Sequence, residues 1–187
     1  MSNAVLPRAT LDDLMSVEGK AELIGGRIVR FMASGHLPSR IASRIFRTLD
    51  DYAIQTGVGV AYADGIGFAL VPELPNGRES FSPDASWYVG PLPTNEMDFV
   101  QGPPTFAVEV RSKNDYGPSA EIEMADKRAD YFLAGTLAVW DVDPDNEFVD
   151  LYEVGAPTTA TRFRRGDTAH AGSAVSGWSV DVNLVLG

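Results

Sequence analysis

The pattern of hydrophobic and polar positions changes along the chain, and its longest periodic stretch predicts an α-helix. Between His36 and Gln55, apolar side chains recur every three or four residues, while arginines lie mostly off that stripe. This is the spacing of a helix with one buried face. The apolar positions are Ile41, Ile45, Leu49 and Tyr52. Gly57 follows as a natural end of the helix.

Capping residues predict two further helices. Thr10 is a suitable N-cap for LDDLMSVE, whose first turn is acidic, as the helix dipole favours. The segment SAEIEMADKRADYFLAG is the clearest helix after the first one, with Ser119 as its N-cap and Gly135 as its end.

Short apolar runs between these helices predict strands. AELIGG and RIVRFM flank Gly25–Gly26, a favourable two-residue hairpin turn, and TFAVEVRS is apolar enough for a central strand. The other predicted strands are GVAYA, IGFALV, FSPDASWYVG, LAVWDVD, EFVDLYEV and ATRFRR. The order of helices and strands predicts an α/β (α+β) fold, in which helices pack on a sheet.

Composition limits the chemistry that this chain can perform. Its length of 187 residues fits one domain, so residues 1–187 are predicted to form a single domain. Cysteine is absent, which excludes disulfides, thiolate zinc sites and cysteine nucleophiles. Because His36 and His170 are the only histidines, a metal ion would be held mostly by oxygen. No apolar run predicts a membrane span and no signal peptide is recognisable, so we expect a cytoplasmic protein.

The net charge of −11 conflicts with binding to nucleic acid, because phosphate contacts usually require a basic face. Two basic clusters reduce the conflict: Arg40, Arg44 and Arg47, and Arg162, Arg164 and Arg165. Carboxylates at a metal site also add negative charge that the bound cation would offset.

Asp84 and Glu109 are the carboxylates most suited to chemistry. Glu109 lies in the middle of FAVEV, where an ionised carboxylate costs several kcal/mol unless it is paired, protonated or bound to metal. Asp84 follows Pro83 at a strand entry, and its separation of 25 residues from Glu109 allows two neighbouring strands joined by a loop. Two such carboxylates can hold a hard divalent ion, which would activate water.

Structural roles compete with this interpretation. An aspartate after proline is also typical of a turn, and Glu109 can pair with Arg111, which lies two residues on and faces the same side of the sheet. Glu22, beside the hairpin, can be a solvated strand residue. Lys127 can pair with Glu123 on a helix surface.

Five short motifs occur in a fixed order along the chain. They are E-L-I-x-G, S-P-D, V-E-V-x-S, K-x-x-x-Y and W-x-V-D-P, and the matching segments are AELIGG (21–26), SPDASWYV (82–89), FAVEVRS (106–112), KRADYFLAG (127–135) and AVWDVDP (138–144). In this order they resemble the Uma2 family, a bacterial family regarded as endonucleases of the PD-(D/E)XK, restriction-endonuclease-like superfamily. The resemblance extends from about residue 9 to the C-terminus.

The resemblance implies a mixed central sheet flanked by helices, Mg²⁺ or Mn²⁺ as the cofactor, and DNA as the substrate. Asp84 and Glu109 would be the paired metal ligands, and Glu22 would be an additional acidic residue of the site. Lys127 would replace the lysine that usually stands two residues after the strand glutamate. A homodimer is compatible with the family, although the sequence contains no coiled-coil heptad.

The chain also departs from the family pattern. Arg111 stands where a hydrophobic residue is common, so it would either take the role of the lysine or neutralise Glu109. Lys113 follows in KNDYGPSAEIE, which replaces the usual S-P-S turn, and it competes with Lys127 for the catalytic role. Gly26 and Arg27 occupy the place of the acidic residue that usually follows the first glycine of the hairpin. A weak or inactive enzyme is therefore an alternative to an active one.

The resulting hypothesis is a metal-dependent endonuclease that hydrolyses phosphodiester bonds in DNA. Asp84, Glu109 and the backbone carbonyl of Val110 would hold the metal, with Glu22 completing the acidic site. Lys127 would orient or deprotonate the attacking water.

Alternatives of other classes stay open. A non-catalytic domain of the same fold would bind nucleic acid or protein, and a third interpretation is a small-molecule-binding or structural domain. Arg40 and Arg44 are candidates for contact with the nucleic-acid backbone, with a solvated helix face as the competing explanation. Trp87 and Tyr131 are expected in the core rather than stacked on bases.

Overall fold

A computed structural model of the chain describes residues 7–187. The helices are α1 (Leu11–Met15), α2 (His36–Thr56), α3 (Pro118–Ala134) and α4 (Val182–Leu186), with a 3₁₀-helix at Gly172–Val175. The strands are β1 (Ala21–Ile24), β2 (Arg27–Arg30), β3 (Val60–Ala63), β4 (Phe68–Ala69), β5 (Ser80–Phe81), β6 (Ala85–Tyr88), β7 (Val100–Gln101), β8 (Phe106–Val110), β9 (Ala138–Asp143), β10 (Phe148–Glu153), β11 (Ala156–Arg164), β12 (Thr168–His170) and β13 (Ser179–Asp181). None of the helices in this part of the chain is long and apolar enough to cross a membrane.

Six strands form a mixed central sheet in the order β11–β10–β9–β8–β6–β3. Only β8 and β9 are parallel, and the other neighbouring pairs of this sheet are antiparallel. Because parallel neighbours cannot be joined by a tight turn, α3 makes the connection between them. The mixed sheet with flanking helices confirms the predicted fold class.

The two faces of the central sheet pack against different layers. Val108 and Trp140 face α2 and the C-terminal elements, where they form one core cluster with Ile45. Ala107 and Val139 face the opposite side and pack with Tyr131 of α3. Since side chains of a strand alternate between faces, Glu109 must lie on the α3 side, beside Ala107.

Several predicted elements are confirmed. The periodic stretch that begins at His36 is α2, and Gly57 ends it in the left-handed conformation with φ of 67°. Thr10 caps α1 through a reciprocal capping box with Asp13. Gly25 and Gly26 join β1 and β2 with φ of 59° and 68°, and positive φ at both central residues suits a hairpin turn.

Other elements differ from the prediction. FSPDASWYVG is split into β5 and β6, because the segment 82–84 around Pro83 interrupts the strand. IGFALV contributes only the two residues of β4. The helix α3 begins at Pro118, with Gly117 rather than Ser119 as its N-cap. Proline fits the first helical turn because an N–H group there has no intrahelical partner.

The packing of α2 gives a test of the fold. Ile45 is completely buried, whereas Ile54 on the same helix is 75% exposed. Ile45→Ala should lower the free energy of unfolding by about 2–5 kcal/mol, because the truncated side chain leaves a cavity. Ile54→Ala should change it by less than about 0.5 kcal/mol. Urea denaturation followed by circular dichroism measures both, and equal losses would contradict the orientation of α2.

Candidate active site

A cleft with a volume of about 730 Å³ opens on the α3 side of the central sheet. Its walls come from the ends of β6 and β8, from α3, and from the segment between β2 and α2. The residues proposed from the sequence that line this cleft are Asp84, Glu109, Val110, Arg111, Lys113 and Lys127. The structure therefore brings the proposed metal ligands and both candidate lysines to one place.

Asp84 is fixed against β8 by two contacts with the backbone. Its N–H donates to the carbonyl of Val108 at 3.0 Å, and its Oδ2 accepts from the N–H of Val110 at 2.8 Å. The pairing of Ala85 with Val108 in the β6–β8 ladder places Asp84 opposite Glu109 when the register is extended by one residue. Residues directly opposite each other on neighbouring strands have adjacent side chains.

Lys127 of α3 is shared by two glutamates. Its Nζ lies 2.9 Å from Oε1 of Glu109 and 3.1 Å from Oε1 of Glu22. The hydroxyl of Tyr131 donates to Glu109 at 2.7 Å. Residues four apart share a helix face, so Lys127 and Tyr131 reach the same carboxylate. The alternative that Lys127 pairs with Glu123 on the helix surface is wrong, because Lys127 faces the interior of the cleft.

Glu22 lies behind Lys127 and outside the lining of the cleft. Its side chain is only 1% exposed, so the interpretation as a solvated strand residue is wrong. Glu22 accepts from Nη1 of Arg78 at 2.5 Å and from the N–H of Ser82 at 3.0 Å. These contacts make Glu22 a residue that positions Lys127.

Arg78 is a buried cation beside the site that the sequence analysis missed. Its guanidinium is buried between Glu22 and Asp130, with its Nε 2.6 Å from Oδ2 of Asp130. It also lies over the ring of Phe81, 5.0 Å from the centroid. Arg78 lies in the irregular segment between β4 and β5, so no periodic pattern pointed to it.

Lys20 is another cation that the sequence analysis missed. Its Nζ lies 2.5 Å from Oδ1 of Asp84 and 2.8 Å from Oδ1 of Asp64. A signal for this residue was present, since Lys20 stands two positions before Glu22. The period of a strand places such residues on the same face.

Burial and charge shift the pKa values of the two glutamates in opposite directions. Burial raises the pKa of Glu109, and the negative charges of Asp84 and Glu22 raise it further. The positive charges of Lys127 and Lys20 act to lower this pKa, but they offset only part of the rise. Burial also acts to raise the pKa of Glu22, but Lys127, Arg78 and the N–H of Ser82 outweigh burial and hold that pKa below its usual value. The ionised carboxylate is therefore less favourable at Glu109, on the cleft side, than at Glu22.

Lys127 stays protonated in this environment. Burial alone would lower its pKa, but Glu109 and Glu22 raise that pKa well above the usual lysine value. The pKa of the Tyr131 hydroxyl is also raised, by burial and by the adjacent charges of Glu109 and Glu22. Both groups therefore face Glu109 as hydrogen-bond donors.

Arg111 does not neutralise Glu109, so the alternative of a salt bridge between them is wrong. Its guanidinium donates to both carboxylate oxygens of Asp141, at 2.8 and 2.9 Å, and to Glu121. Arg111 turns toward Asp141 because β9 offers that carboxylate on the same sheet face. Lys113 is exposed in the turn after β8, at the edge of the cleft.

Arg40 and Arg44 lie outside the cleft lining. Arg44 donates to the carbonyls of Val185 and Leu186 at 3.2 and 3.0 Å, and it thereby fastens α4 to α2. Arg40 is exposed on α2.

Trp87 and Tyr131 are 2% and 0% exposed. Both therefore belong to the core, as expected from the sequence.

The carboxylates of the cleft fit a magnesium-type ion. Within residues 7–187, no group of three or more aspartate, glutamate or histidine side chains converges as a complete metal cage. Asp84 and Glu109 instead offer two hard oxygen ligands, and their side chains remain 13% and 19% exposed. Mg²⁺ typically binds through one or two carboxylates and keeps several waters. A metal ion here would compete with Lys20 and Lys127 for the same oxygens.

The charge on Glu22 provides a stability test. Glu22→Gln should lower the free energy of unfolding at pH 7 by about 3–5 kcal/mol, because it removes one partner of buried ion pairs. The folded-state pKa of Glu22 lies below the ordinary value of 4.5. Its stabilisation is therefore present above that value and disappears as the pH falls through the folded-state pKa. Urea denaturation between pH 7 and pH 3 measures the difference in the free energy of unfolding between the variant and the wild type.

Glu96→Gln is the matched control, because Glu96 is exposed in a loop. This variant should remain close to the wild type at every pH. A loss in Glu22→Gln that stays constant down to pH 3 would show that folding does not lower the pKa of Glu22.

Comparisons with known proteins agree with the geometry. Residues 10–183 match the profile of the Uma2 family, described as "Putative restriction endonuclease". The chain is also similar to the crystal structure of "a putative nuclease belonging to DUF820 from Anabaena variabilis ATCC 29413". The TM-score is 0.72 at 18% sequence identity, over 95% of this chain and 97% of that one. No functionally curated protein matches the chain at a significant level.

The similarity to the Anabaena structure shows a shared fold. The family match shows more than a shared fold, because it spans the segments that carry all five motifs, from AELIGG to AVWDVDP. It confirms the resemblance inferred from those motifs, and the chain therefore belongs to the Uma2 family.

Proposed function

We propose that the protein is a metal-dependent endonuclease that hydrolyses phosphodiester bonds in DNA. The observation that carries this proposal is the pairing of Asp84 and Glu109 on neighbouring strands, with Lys127 2.9 Å from Glu109, in one open cleft. The family is described as "Putative restriction endonuclease" and the structural neighbour as "a putative nuclease". Both descriptions support the same class of reaction.

Asp84 and Glu109 would hold Mg²⁺ or Mn²⁺, with the backbone carbonyl of Val110 as a further oxygen ligand. The bound ion would supply an activated water and stabilise negative charge on the phosphoryl oxygens. Asp84 suits this role because its contact with the N–H of Val110 leaves it little freedom to rotate. Tyr131 restrains Glu109 in the same way.

Lys127 would orient the attacking water and neutralise charge that develops on the phosphate. Its raised pKa favours these roles over proton abstraction, because the ammonium form persists at neutral pH. Glu22 and Arg78 would act indirectly, since Glu22 holds Lys127 and Arg78 holds Glu22. Lys20 would balance the charge of Asp84 when no ion is bound.

A non-catalytic binding domain of the same fold is the second candidate. Two observations favour it: Lys20 and Lys127 already pair with Asp84 and Glu109, and the chain carries a net charge of −11. Such a domain would bind nucleic acid or protein through the same cleft without cutting it. Cleavage that depends on a divalent ion separates the two candidates.

Metal binding tests the proposed ligands directly. Calorimetric titration with Mn²⁺ should show saturable binding to the wild type and loss of binding in Asp84→Asn and Glu109→Gln, because each substitution removes a charged oxygen ligand. Asp126→Asn, on the exposed side of α3, should bind like the wild type. DNA cleavage should require Mn²⁺ or Mg²⁺ and should fail in the two ligand variants.

The outcomes separate the candidates. Metal binding without cleavage of single-stranded, duplex or supercoiled DNA would favour the non-catalytic domain. If the wild type binds no metal, or if the ligand variants bind it equally well, the catalytic proposal is wrong.

Lys127 can be tested separately from the metal ligands. Lys127→Met should retain Mn²⁺ binding but lower the single-turnover cleavage rate by roughly 10²–10⁴-fold, the usual contribution of a positioned proton-transfer or orienting group. Lys113→Met tests the rival lysine and should have a much smaller effect, because Lys113 is exposed at the edge of the cleft. The opposite ranking would assign the catalytic role to Lys113.

A further inference from the structure

The β1–β2 hairpin brings an aromatic side chain to the proposed metal ligands. The N–H of Phe31 donates to the carbonyl of Lys20 at 3.0 Å, directly beyond the pairing of Ala21 with Arg30. Directly opposite residues of an antiparallel pair point to the same side. Lys20 contacts Asp84 from this position, and the ring of Phe31 lies 5.5 Å from Nζ of Lys127.

Phe31 begins an exposed apolar wall of the cleft. Phe31, Met32 and Leu37 are 40%, 84% and 43% exposed, and all three line the cleft. Pro38 and Met124 extend the same lining. Adjacent exposed apolar side chains typically mark a surface that contacts a ligand. An aromatic ring beside flexible methionines suits the flat face of a nucleobase. These side chains have no positive charge or hydrogen-bond donor with which to bind a phosphate.

The distribution of charge restricts the shape of the substrate. Six basic and six acidic side chains line the cleft, so the net charge of −11 resides on the rest of the molecule. A long duplex would place many phosphates beyond the cleft, against this acidic surface, where repulsion would weaken binding. An unpaired strand can keep few phosphates near Asp84 and Glu109 and obtain much of its affinity from stacking.

We propose that the cleft binds nucleic acid whose bases are unpaired, and that Phe31 stacks on the base next to the phosphate that the proposed metal site at Asp84 and Glu109 would hold. This inference rests on the proposed nuclease function and adds the class of substrate to it. Phe31 is suited to the role because it is the aromatic residue beside Lys127 at the open side of the cleft. Tyr131, by contrast, is completely buried.

Fluorescence anisotropy tests the inference with an oligothymidylate of roughly 12 nucleotides and a duplex of the same length. The wild type should bind the single strand more tightly than the duplex. Phe31→Ala should weaken binding of the single strand about tenfold, as expected for loss of one stacking contact. Phe31→Trp should preserve binding, and Ile54→Ala, an exposed apolar change outside the cleft, should leave it unchanged. Mn²⁺ affinity should be equal in all four proteins.

The outcomes distinguish this inference from the proposed function. Tighter binding of the duplex, or unchanged affinity in Phe31→Ala, overturns the inference even if Asp84 and Glu109 prove necessary for cleavage. The expected binding pattern without any metal-dependent cleavage supports the inference and instead overturns the nuclease function.

Discussion

The candidate site depends on one ammonium group shared by the buried carboxylate of Glu22 and the half-buried carboxylate of Glu109. Lys127 separates Glu22 from Glu109, and without it two negative charges would face each other in a low-dielectric interior, at a cost of several kcal/mol. The sheet topology brings the lysine there. Because β8 and β9 are parallel, their connection must cross the sheet, and α3 makes this crossover on the face that carries Glu109. The fold and the charge balance of the site therefore depend on each other.

The two glutamates that share Lys127 differ in how far their negative charge is compensated. Glu22 has Arg78 and the N–H of Ser82 in addition to Lys127, and its pKa is lowered. Glu109 lies opposite Asp84, and its pKa is raised. The less stabilised carboxylate thus lies in the part of the network that opens into the cleft. A bound cation would gain most there, and such local imbalance is typical of functional sites.

Local sequence patterns were sufficient where one element determines its own structure. The periodicity of α2, the glycines of the hairpin and the apolar run of β8 predicted their elements. Patterns were insufficient where the partner comes from a distant segment. A salt bridge between Arg111 and Glu109 was one of the alternatives, but alternation in a strand only assigns a face and cannot choose between two carboxylates on it. Arg78 lies in an irregular loop, whose path depends on contacts across the molecule.

The hairpin links the polar and apolar parts of the cleft. Lys20 directly precedes β1 and stands two residues before Glu22, and Phe31 lies opposite Lys20, so all three project toward the site. A shift of register by one residue would turn them to the other face. The register is fixed at Gly25–Gly26, where positive φ values form the turn and the N–H of Gly25 donates to the carbonyl of Gly77 at 2.6 Å. This contact precedes Arg78 by one residue. A glycine turn without chemistry of its own therefore aligns Glu22, which holds Lys127, with Lys20, which contacts Asp84, and with the apolar wall that begins at Phe31.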